Sequence, residues 1–91
     1  MTTVVHIDDA PADGYYIGRG SPAGNPFVIG RDGNRGEVLA KFRQYIRYRV
    51  DLLDLFRSLR GRTLICHCKP KDCHGDIIAE IADDPYADLL G

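Results

Sequence analysis

The stretch Thr63-Leu64-Ile65-Cys66-His67-Cys68-Lys69-Pro70-Lys71-Asp72-Cys73-His74-Gly75-Asp76-Ile77-Ile78 decides the fold. Thr63 to His67 is nearly all apolar, as expected for a central strand covered on both faces. Pro70 has no N–H and cannot continue a ladder. Asp72 has the chemistry of a helix N-cap, and Ile77, Ile78 and Ile81 then form one apolar stripe at helical spacing. Asp83-Asp84-Pro85 ends that helix. The stretch is therefore a strand, a short loop and a helix.

Working outward toward the N-terminus, Gly61 closes a preceding helix that carries Leu52, Leu55, Phe56 and Leu59. Before it, Val38, Leu39, Phe42, Tyr45, Ile46 and Val50 recur with a period near 3.6, predicting an amphipathic helix over roughly residues 35–49. Asn34 and Glu37 have the spacing of a capping box at its start. Gly30-Arg31-Asp32-Gly33 is a turn, and Phe27-Val28-Ile29 reads as a brief extended segment. Val4-Val5-His6-Ile7 and Tyr15-Tyr16-Ile17 are short strand candidates, separated by a loop over residues 8–14. Tyr86 to Gly91 reads as a tail docked through Leu89 and Leu90. The order is strand, strand, helix, helix, strand, helix. It predicts a single α/β domain over residues 1–91, with helices packed on a short, mostly parallel sheet.

Ninety-one residues suffice for one domain, and a hydrophobic content of 44% fits a folded globule. No apolar run approaches the ~20 residues that span a bilayer, and the first residues do not resemble a secretory signal. A cytoplasmic protein with no membrane partner is expected. Three cysteines are an odd number, which argues against a disulfide scaffold. Net charge is -1, yet nine of the twelve Lys and Arg lie between Lys41 and Lys71 against only Asp51 and Asp54. That stretch reads either as ordinary solvated helix faces or as a surface for a nucleic acid or a host protein.

Reactive side chains gather where the Thr63–His67 strand ends, and ligands of open α/β sheets bind beyond the carboxyl ends of strands. Free N–H groups and the helix dipole would attract an anion there, with Lys69 adding charge. Gly75 would permit a close approach by a ligand or another backbone. Cys73, in the first helical turn, is placed where a thiolate is favoured, and His74 beside it can be a base, a proton donor or an orienter. Asp76 can hold a ligand hydroxyl or fix His74. Cys73, His74 and Asp76 are therefore the candidate catalytic residues. The plainer alternative makes Cys73 a small buried hydrophobe and Asp76 a partner of the dipole.

Zinc is a competing use of Cys66, Cys68, Cys73 and His74, although C-x-C-x4-C-H is not a common finger spacing. Neighbours on a helix point about 100° apart, so Cys73 and His74 would share an ion only with distortion. No other cofactor is implied. His67-Cys68 with five residues before His74 shares the outline of a phosphatase loop, which needs Arg where His74 stands, so that reading fails. The second motif, Gly18-Arg19-Gly20-Ser21-Pro22-Ala23-Gly24-Asn25-Pro26-Phe27, is not a Rossmann loop. Its stiff composition suggests a fixed backbone shape. Arg19 would clamp an anion, with Gly18, Gly20, Ser21 and Asn25 as further ligand contacts and Cys66, Cys68, Lys69 and Gly75 facing them. A purely structural turn is the alternative.

At these two motifs the chain resembles domain-of-unknown-function family 4326, small proteins found largely in bacteria and their phages. The resemblance runs from Tyr16 to about Ile81. It rests on Tyr16-Ile17-Gly18-Arg19-Gly20-Ser21-Pro22, Gly24-Asn25-Pro26-Phe27, Cys66-His67-Cys68-Lys69-Pro70 and Cys73-His74-Gly75-Asp76. The family resembles this chain with a larger apolar residue at Ala23 and an aromatic one at His67. The Cys-His pair also resembles that of another α/β family carrying Cys-His-Arg; here Gly75 replaces the Arg. The resemblance implies the fold and the site and names no reaction. The expected ligand is a nucleotide, a nucleoside or a similar small anion, held by a phage accessory enzyme or a non-enzymatic module.

Overall fold

The computed structural model describes residues 1–84, and the expected tail contact through Leu89 and Leu90 lies outside them. Three strands and three helices form one α/β unit: β1 (Thr3–His6), β2 (Tyr15–Tyr16), α1 (Arg35–Ile46), α2 (Val50–Ser58), β3 (Thr63–Cys66) and α3 (His74–Asp83). The sheet order is β1-β3-β2, and both pairings are parallel. His6 stands opposite Cys66 and Tyr16 opposite Ile65, so all three strands end along one edge.

The most apolar strand takes the centre, as its composition requires. Leu64 and Cys66 enter the core, while the Ile65 side chain lies against Gly14 on the loop after β1. α3 packs on β1 and β3, and α1 and α2 pack in turn against α3. Phe42 of α1 and Phe56 of α2 are fully buried with ring centroids 6.3 Å apart. Burying each such side chain contributes about 2–3 kcal/mol.

The sequence pattern and the structure differ at several ends. β3 stops at Cys66, so His67 lies just past the ladder. Phe27 to Ile29 joins no strand. Asp32 N–H donates to the Val28 carbonyl and Val28 N–H to the Asp32 carboxylate, both at 2.8 Å, so a local turn takes the groups a ladder would need. α1 ends at Ile46 rather than near 49, and Arg49 instead bonds Tyr45 and Asp51 across the α1–α2 connection. At the start of α1 the capping box forms as read, Glu37 N–H to Asn34 at 2.9 Å and Asn34 N–H to Glu37 at 3.0 Å. Gly61 adopts φ +81°, a conformation that favours glycine, in the turn before β3. Thr2 clasps the far end of the sheet. Its hydroxyl donates to Asp83 at 2.7 Å and accepts from Gly61 N–H at 3.0 Å.

Candidate functional site

At the carboxyl edge of the sheet the two motifs meet across a cleft of about 320 Å³. Gly18, Arg19 and Asn25 line it from the glycine loop, and Cys66, Cys68, Cys73 and His74 from the β3–α3 crossing. Phe27, Val28, Val38 and Leu39 form its apolar wall. Gly20, Ser21, Lys69, Gly75 and Asp76 lie outside that lining.

The loop is shaped by its own hydrogen bonds. Ser21 hydroxyl donates to the Gly18 carbonyl at 2.7 Å, and Gly20 turns the chain at φ +91°. Asn25 uses its carbonyl oxygen to accept from Phe27 N–H at 2.9 Å. That Asx-type bond leaves the Asn25 amide N–H groups for other partners. Arg19 is exposed, and its guanidinium has no partner among the described residues.

The crossing departs from its sequence reading. The N-cap of α3 is Cys73, not Asp72. Cys73 Sγ accepts from Gly75 N–H at 3.3 Å while the Asp76 carboxylate accepts from Cys73 N–H at 3.2 Å, so a thiol and a carboxylate complete a capping box. Asp72 instead lends its carbonyl to Arg35, at 2.8 Å. Cys73 is only 2% exposed. Burial pushes its thiol pKa up, the opposite of the thiolate expected at a helix start. His74 is buried too, and burial pulls its imidazole pKa down. Its Nε2 donates to the Ile17 carbonyl at 2.7 Å, which leaves Nδ1 to accept from the Cys73 thiol at 3.7 Å. Cys73 and His74 thus form a neutral, mutually satisfied pair beneath the cleft.

Lys69 and Asp76 neutralise one another in an ion pair, and the Asp76 hydrogen bond raises the Lys69 pKa. Gly75 is a packing residue: a Cβ there would meet Ile17 Cδ1 at 2.7 Å and Val4 Cγ1 at 2.8 Å. Among the described residues no group of three or more His, Cys, Asp or Glu is arranged to hold a metal ion.

Sequence reasoning missed three cleft residues with chemical capacity: Arg35, His67 and Asp72, the last read only as a helix cap. Arg35 opens α1, and nothing local signals its reach to residue 72. His67 is the first residue past the central strand, and the carboxyl-end rule could have singled it out. It is exposed, and its Nε2 shares a 3.1 Å hydrogen bond with the Tyr16 hydroxyl. The basic stretch is not a bare cationic surface. Arg43 pairs with Glu80, Arg49 with Asp51 and Arg57 with Asp54, at 2.9, 2.9 and 3.3 Å.

A family model described as a domain of unknown function, DUF4326, matches residues 5–84. The chain belongs to the DUF4326 family. This DUF4326 chain is also 38% identical over 77 residues to an uncharacterised 12.4 kDa protein in the nrdA–td intergenic region of Enterobacteria phage T4, covering 79% of this chain and 69% of that relative. No solved structure matches. The DUF4326 match spans both walls of the cleft. Among the described residues no helix is long and apolar enough to cross a membrane.

Proposed function

We propose that the cleft binds a nucleotide or nucleoside-like small anion. The observation that carries this reading is the unpartnered Arg19 guanidinium on a stiff loop, in a cleft that also holds Arg35, Asn25 and Asp72. A guanidinium offers a bidentate fork to phosphate or carboxylate. Arg35 supplies a second positive charge, already oriented by the Asp72 carbonyl. The spare N–H groups of Asn25 and the carboxylate of Asp72 suit a ligand with hydroxyls as well as an anionic end. A bare anion would gain nothing from Asp72.

Size narrows the ligand. Ligand pockets run from about 300 to 1,000 Å³, and 320 Å³ is near the small end. That suits the sugar and phosphate of a single nucleotide better than a dinucleotide or a long polymer. Cys73 and His74 support the cleft in this reading and do not react. A protein phage accessory role, enzymatic or not, is compatible with such a site.

Calorimetric titration with a set of nucleoside 5′-monophosphates tests the proposal. Saturable binding is expected for at least one. Arg19→Gln should weaken it about tenfold or more, the loss of a charge-assisted pair. Absence of binding to every member at millimolar concentration, or binding indifferent to Arg19, would overturn it.

A further inference from the structure

Beyond the cleft lip, each of the three parallel strands delivers one aromatic ring to the same edge. His6 ends β1, Tyr16 ends β2 and His67 follows β3. In space they form a row with His67 in the middle. The Tyr16 and His67 centroids are 5.7 Å apart and those of His6 and His67 6.4 Å apart, each pair nearly perpendicular. The row continues the cleft because His67 belongs to both.

The row is held in place. Tyr16 and His67 share a hydrogen bond, and His6 Nδ1 accepts from Asp8 N–H at 3.1 Å. The Tyr16 phenol lies over Gly18, where a Cβ would come within 2.2 Å of its hydroxyl oxygen. Only a glycine there lets the ring take this position. Tyr16 nonetheless remains 37% exposed, and His67 is exposed as well. Exposed rings that are already fixed bind a flat partner with little ordering cost. Inside the cleft the Phe27 ring is less exposed than His67 and packs on Tyr45 at 5.9 Å.

We infer that the heterocyclic base of the ligand stacks on the exposed His67 ring at the cleft lip, which Tyr16 and His6 hold edge-to-face from either side, while its anionic end stays within reach of Arg19. This rests on the nucleotide reading above and adds where the base sits and what recognises it. Stacking tolerates any base, so the row selects for a base as such.

The test titrates ribose 5-phosphate and a nucleoside 5′-monophosphate into wild type, Tyr16→Leu and His67→Leu. Wild type should prefer the nucleotide about tenfold or more, the usual scale for one stacked base. Both variants should lose that preference and keep their affinity for ribose 5-phosphate. His67 lies outside the strands, so His67→Leu preserves the test if Tyr16→Leu fails to fold. A preference that survives in the folded variants, or base protons showing nuclear Overhauser contacts to Phe27 and Val38, would overturn the inference. If ribose 5-phosphate binds through Arg19 but the base adds nothing, this inference falls and the anion site stands. If neither ligand binds wild type, the nucleotide reading itself falls.

Discussion

Nε2 of His74 donates a 2.7 Å hydrogen bond to the carbonyl oxygen of Ile17, joining the first residue of α3 to the segment that leaves β2. This bond ties together the two motifs that line the cleft, across 57 positions of sequence. The His74 ring also packs edge-to-face on Phe42 at 5.3 Å, so the same side chain links loop, helix and core.

His74→Ala should therefore destabilise the fold by about 3 kcal/mol, combining an orphaned buried carbonyl with lost packing. Urea denaturation measures this. A pH dependence follows as well. Burial holds the folded imidazole below its ordinary pKa of 6.5, so the unfolded chain takes up the proton first as pH falls. The stabilisation from a neutral His74 is complete above pH 6.5 and is lost progressively below it. Wild type should lose denaturation midpoint through that window, and His74→Ala should lose less.

The three cysteines should separate by reactivity. Cys66 and Cys73 are 1% and 2% exposed, whereas Cys68 is half-buried. Burial also disfavours the Cys73 thiolate, the form that reacts. Native protein treated with a maleimide should label Cys68 first, and the other two only on unfolding. Mass spectrometry of timed digests reads the order. Fastest labelling at Cys73 would show the thiolate that the geometry denies.

Gly75 and Gly36 should respond oppositely to alanine. At Gly75 the new methyl would meet Ile17 and Val4 inside 3 Å, and overpacking of this kind costs about 1–3 kcal/mol. At Gly36, in α1, it would meet only the Asn34 side chain, at 3.5 Å. Gly36→Ala should stabilise by about 0.5 kcal/mol through helix propensity. Thermal melts of the two variants check both signs.

The sequence shows most plainly what its local patterns govern. The run Thr63–Cys66 is too apolar for anything but the sheet centre, and Asn34 with Glu37 marks the start of α1 as the structure has it. The family was legible too, because its telling residues lie in short unbroken motifs. What escaped was tertiary. Asp72 has the better cap chemistry, yet Cys73 caps, because Asp76 stands three residues after Cys73 and closes a capping box on its N–H. Gly75 looked like room for a ligand, and the room is filled by Ile17 from another element. The reach of Arg35 and the contact between Tyr16 and His67 carry no local mark, since each depends on a partner 37 or 51 residues away, although the place of His67 just past the central strand was legible.

Backbone amide chemical shifts followed through a nucleoside 5′-monophosphate titration test the central claim most directly. Saturable perturbations should concentrate at Gly18–Phe27 and at His67–His74, the two sequence-distant walls of one cleft. Shifts confined to the basic faces of α1 and α2, or no shifts at millimolar nucleotide, would contradict it.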